Sequence, residues 1–143
     1  MQTLIETELI TFEGWTLRAL PSAKPERLML LIHGYTGDEN SMWVFSQGLP
    51  SHYWMIAPRA PHSAGSGGYT WRPLHRLDFG NPSLDQLRQP AEALIRLVDA
   101  YQASMGIDAS PERSGVLSLS KERRIDVMGF SQSAVMCNVL SFL

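Results

Sequence analysis

Three short runs of apolar residues, each closed by a turn, restrict this 143-residue chain more than any other feature. Residues 28–32 read Leu-Met-Leu-Leu-Ile, residues 53–57 Tyr-Trp-Met-Ile-Ala and residues 125–130 Ile-Asp-Val-Met-Gly-Phe. A strand with one wet face alternates apolar and polar side chains, whereas a near-continuous apolar run belongs to a strand covered on both faces. Such strands pair in parallel and need helices as their cover. Helical spacing follows in the right places: Leu84, Leu87, Ala91, Leu94, Val98, Tyr101 and Met105 recur after Ser83 as a cap and stop at Gly106. Pro90 falls inside that pattern and is expected to kink or restart the helix. Residues 132–143 predict a second, largely apolar helix, and residues 41–47 a short one capped by Asn40 or Ser41. Upstream, residues 4–12 and 15–20 alternate and are joined by Glu13-Gly14, which predicts a hairpin. The sum is an antiparallel hairpin followed by strand and helix three times over. That is an α/β fold with parallel central strands, and right-handed crossovers should put helices on both faces.

Composition narrows the setting. No repeat or linker divides the chain, so a single domain over residues 1–143 is expected; the Gly- and Ser-rich stretch 63–68 is a loop. A net charge of −2 offers no broad attraction to nucleic acid or to an anionic membrane. The apolar runs are too short to span a bilayer, and the N-terminus lacks the pattern of a secretory signal. Cys137 is the one cysteine, which rules out an internal disulfide and favours a reducing, cytoplasmic location.

The chemistry is concentrated in Gly129-Phe130-Ser131-Gln132-Ser133-Ala134. A strand running straight into a serine between small residues, with an apolar helix behind it, is the setting of a nucleophile elbow. There the serine sits on a sharp turn, and the positions two before and two after it must be small because strand and helix backbones approach closely. Gly129 satisfies this, while Ser133 stands where glycine is usual. Alone, such a string is also compatible with a polar turn before a helix. A second signal supports the first. The loop His33-Gly34-Tyr35 follows a buried strand and has the glycines needed to turn its backbone toward a substrate, as an oxyanion hole requires. His33 itself reads as a structural histidine holding that loop rather than as a proton carrier.

Taken together, residues 31–40 (LIHGYTGDEN), 57–61 (APRAP), 68–71 (GYTW) and 129–132 (GFSQ) resemble the phospholipase/carboxylesterase family of the α/β-hydrolase superfamily, which includes acyl-protein thioesterases. The resemblance covers nearly the whole chain, and four segments in order are more specific than any one of them. The resemblance implies that Ser131 is the nucleophile, that the backbone N–H groups of Tyr35 and Gln132 form the oxyanion hole, and that Tyr69 and Trp71 help to line the acyl-binding groove. It implies a small acyl ester or thioester as substrate and no cofactor. The stretch 109–123 is longer than the family's usual link and is expected to bulge at the surface.

Chain order sets the main departure. In α/β-hydrolases the nucleophile is followed by the acid and then the histidine. Only twelve residues follow Ser131, and none is Asp, Glu or His. The expectation is therefore the N-terminal half of the fold, truncated after the elbow, with doubtful activity of its own and a strand edge open to self-association or to another partner. The upstream histidines His33, His52, His62 and His75 are poor substitutes, since a base must be fixed within about 3 Å of the hydroxyl and oriented by a third group. Their spacing matches no metal site, and Cys137 belongs to a core helix.

Overall fold

The computed structural model describes residues 7–23, 25–49, 52–65, 67–72, 84–106, 125–129 and 132–141. The expected hairpin is β1 (Glu8–Phe12) and β2 (Trp15–Leu20). Between them Glu13 and Gly14 take φ values of 51° and 81°, the left-handed pair that lets a two-residue turn follow the strand twist. The three apolar runs become β3 (Arg27–Ile32), β4 (Tyr53–Pro58) and β7 (Ile125–Gly129). Sheet order is β1-β2-β4-β3-β7, antiparallel through β4 and parallel from β4 to β7. This is the mixed sheet expected of a partial α/β-hydrolase fold.

Strand alternation sends the side chains of β3 to opposite faces. Leu28, Leu30 and Ile32 join one core with Leu17, Ile56 and Trp71, which is sealed by the helices α1 (Leu84–Met105) and α2 (Gln132–Ser141). Met29 and Leu31 join Met55 and Ala57 in a smaller core on the other face. Both long helices thus share one face, whereas helices were expected on both. The second face is covered by residues around Met42 and Trp43, where only a single 3-10 turn forms (Trp43–Ser46) in place of the expected helix at 41–47. Local polar side chains explain the difference. Asp38 accepts from the Asn40 N–H (2.7 Å), Ser41 Oγ accepts from the Asp38 N–H (2.9 Å), and the Trp43 indole donates to the Glu39 carbonyl (2.8 Å). These bonds give the backbone an alternative to a helical start, and Met42, not Asn40 or Ser41, precedes the turn.

Three further departures have plain causes. α1 runs through Pro90 without interruption because Leu87, Ala91, Leu94 and Val98 are all buried against the sheet, which outweighs the missing N–H. It ends as expected, at Gly106 with φ 69°. β7 is half-exposed rather than buried, with Val127 37% accessible, because β3 is its one neighbour among the described residues. Finally, the long loop after β4 contains a two-stranded hairpin, β5 (His62–Ser63) and β6 (Tyr69–Thr70), too short to leave a period-2 signal. No described helix is long and apolar enough to cross a membrane. Residues 1–6, Ser83, His75, Phe130 and the stretch 109–123 lie outside the described residues.

Candidate active site

In a parallel sheet the loops that leave the strands' C-terminal ends gather on one edge, and there β3, β4 and β7 deliver the singled-out segments. Ile32 pairs with Gly129 in the β3–β7 ladder. Tyr35 and Gln132 each lie three residues beyond that pair, on strands spaced about 4.8 Å apart. Gln132 opens α2, so its N–H is one of those that a helix leaves without an internal partner. Ser131 itself falls outside the described residues, between the end of β7 and the start of α2 in sequence.

The loop after β3 is built around His33, which is 1% exposed. The Ala60 N–H donates to its Nε2 (3.0 Å), so the ring proton sits on Nδ1, which donates to the Gly34 carbonyl (2.7 Å). Burial pushes the imidazole below its ordinary pKa, outweighing the Gly34 hydrogen bond and the charges of Asp38 and Glu39. A neutral histidine with both nitrogens engaged is a strut and has no capacity left to act as a base. The reading of His33 as a structural residue holds.

β6 clamps the same loop from its other side. The Thr36 N–H donates to the Tyr69 carbonyl (3.0 Å) and the Tyr69 N–H to the Gly37 carbonyl (2.9 Å). Two tight approaches make this possible. Gly68, at φ 72°, brings its backbone so close that an added Cβ would stand 1.9 Å from the Thr36 carbonyl oxygen. Gly37 leaves room for His33 and Ser41, since a Cβ there would meet both at 3.0 Å. Thr36 carries a positive φ of 67°, a costly conformation for a β-branched residue that this clamp maintains.

Three successive amides of the loop have partners. Thr36 donates to Tyr69, Gly37 to the Gly34 carbonyl (3.0 Å) and Asp38 to Ser41 Oγ. The Tyr35 N–H donates to nothing among the described residues, and its side chain is 39% exposed. Trp71 differs from Tyr69 in its surroundings: it is wholly buried, and its indole donates to the His33 carbonyl (2.8 Å). Tyr69 is half-buried, with the Arg59 guanidinium 4.7 Å above its ring.

Sequence reasoning missed the Arg59–Glu39 ion pair. Arg59 Nε donates to both carboxylate oxygens of Glu39 (3.1 and 3.2 Å), Nη2 adds a further bond, and Glu39 is 3% exposed. Burial works to raise the Glu39 carboxyl, but the bonds from Arg59 and its own backbone, with the charges of Arg59 and Arg18, hold it below the ordinary carboxylate value. The pair ties the segment after β4 to the loop after β3. Its members lie twenty residues apart, a separation that carries no periodic signal.

The other candidate groups are dispersed. His52 precedes β4 and lies at the opposite end of the parallel strands from Gly129. His62 sits on β5. Cys137 packs half-buried against the larger core, and burial pushes its thiol pKa up. No cluster of three or more His, Cys, Asp or Glu suited to a metal ion occurs among the described residues.

Solved structures share this fold. Esterase PE8 matches 85% of the chain at 26% identity with a TM-score of 0.54, over 54% of its own length. A carboxylesterase from Mesorhizobium loti matches 96% of the chain at 17% identity and TM-score 0.71, over 58% of its length. TT1662 from Thermus thermophilus matches 96% at 17% identity and TM-score 0.59, over 51% of its length. The chain thus spans somewhat more than half the length of these proteins. No family model matches it, and no curated protein matches it by sequence. The fold is that of α/β-hydrolase esterases, over the portion that the chain spans.

Proposed function

We propose that the chain carries the nucleophile-bearing part of a serine hydrolase acting on carboxylic esters or thioesters, similar to carboxylesterases and acyl-protein thioesterases. Ser131 attacks the acyl carbonyl and forms an acyl-enzyme that water then hydrolyses. The N–H groups of Tyr35 and Gln132 receive the developing oxyanion, each contributing about 3 kcal/mol of barrier lowering. Tyr69 borders the substrate, and Trp71 supports the loop from beneath. The mechanism also needs a base and an acid to orient it, and none of residues 132–143 is Asp, Glu or His. The observation that supports the reading is the unengaged Tyr35 amide, followed by three bonded amides and brought to the same sheet edge as Gln132.

A fluorophosphonate probe tests it. Covalent labelling of the 143-residue chain, slow beside a complete esterase and lost in Ser131→Ala, is the expected result. No labelling at any probe concentration overturns it and favours a second reading, a non-catalytic module that binds another chain along the outer edge of β7. Among the described residues that edge is unpaired.

A further inference from the structure

A separate cleft of about 320 Å³ lies between the β1–β2 turn and the segment after β4. Trp15, Thr16, Arg59, Pro61 and Tyr69 line it, and Glu13 lies at its turn side. The cleft is braced, since the Arg59 N–H donates to the Thr16 carbonyl (2.8 Å) and so fixes one wall against the other. Its size suits a small molecule or one part of a larger one.

The electrostatics select among ligands. Arg59 is the one basic residue in the lining, and its Nε and Nη2 are committed to Glu39. Its Nη1 donates to nothing among the described residues. The cleft therefore has spare N–H donors but no net positive charge, for Glu39 balances the guanidinium and exposed Glu13 adds a further negative group. A carboxylate would meet Glu13 and a guanidinium already neutralised by Glu39. A cation would face Arg59 and bring no acceptor for Nη1. A neutral carbonyl oxygen fits, and a flat ring attached to it can lie among Trp15, Pro61 and Tyr69.

We infer that this cleft is a subsite for an uncharged planar group bearing a carbonyl oxygen, such as the aryl amide or aryl ester flank of a substrate. The inference rests on the hydrolase reading for its role in turnover. Tyr69 joins the two regions, since its backbone bonds Thr36 and Gly37 and the residue also lines the cleft. The favoured substrates are then neutral esters with a flat flank, ahead of those with an anionic headgroup.

Three probes of one shape and different charge decide the matter: benzamide, benzoate and benzamidinium, titrated into the 143-residue chain and followed by the NMR signals of the Trp15 indole and the Thr16 and Tyr69 amides. Benzamide should give saturable shifts there and bind at least about threefold more tightly than either ion, the scale of a partly exposed charge interaction. Glu13→Lys, an exposed turn substitution, should tighten benzoate by about threefold and leave benzamide unchanged. A charged probe that equals benzamide, or shifts that do not saturate or lie elsewhere, overturns the subsite. Labelling of Ser131 without binding in the cleft removes the subsite alone. Binding in the cleft without labelling removes the hydrolase reading and, with it, the role in turnover.

Discussion

Replacing Gly68 by alanine tests the clamp on the loop after β3 and separates two costs that usually arrive together. The first is conformational: Gly68 has φ 72°, where an L-residue with a Cβ pays about 1–2 kcal/mol. The second is steric. The new Cβ would stand 1.9 Å from the Thr36 carbonyl oxygen, so about 1.6 Å must be found to reach an ordinary contact near 3.5 Å. Forced displacement in a packed region costs about 1–3 kcal/mol more. Gly65 supplies the control, because it has φ 84° and a Cβ added there would meet nothing within 4 Å, so it incurs the first cost alone. Urea unfolding followed by tryptophan emission should place Gly65→Ala about 1–2 kcal/mol below the parent and Gly68→Ala about 1–3 kcal/mol lower still. The Thr36 and Tyr69 amide signals should move in Gly68→Ala only. Equal destabilisation by the two substitutions would refute the close approach, and with it the account of how Tyr35 is held.

Three other outcomes follow from the structure. His33 is buried neutral with its pKa lowered, so the unfolded chain binds the extra proton as pH falls below about 6.5. Stability is full above that value and declines below it by at most about 1.4 kcal/mol per pH unit, until His33 itself titrates in the fold; in His33→Gln, pH-dependent denaturant melts should lose that contribution. At the other end of the strands, Arg27 bonds Asp126 twice (2.9 and 3.0 Å) and the Tyr53 hydroxyl donates to it (2.5 Å), fastening β7 to its neighbour β3 and across it to β4. Because both charged groups are partly exposed, Asp126→Ala should cost only about 1 kcal/mol, read as a lower urea midpoint with faster hydrogen exchange in β7. Pro90→Ala restores an N–H inside α1 and should raise stability by about 1–3 kcal/mol, visible as a higher Tm.

What the sequence carried by itself was the list of layers. Unbroken apolar runs at 28–32 and 53–57, each short and closed by turn residues, point to covered strands, and the spacing from Leu84 to Met105 to a one-sided helix, because burial pattern and backbone period are local properties. The small residue at Gly129 before Ser131 marks the candidate elbow for the same local reason. Tertiary structure decided what those layers hold in place. Which loop amide stays unengaged depends on Gly68 reaching Thr36 and on Tyr69 pairing with Gly37, contacts across more than thirty residues. Burial turned His33 into a strut and Trp71 into its support, although both stand in segments that look equally suited to contact a substrate. The Arg59–Glu39 pair and the cleft beside it arise from chain segments with no shared period. Long-range hydrogen bonds and steric fit leave no repeating mark in a sequence, and only the packed chain brings their partners together.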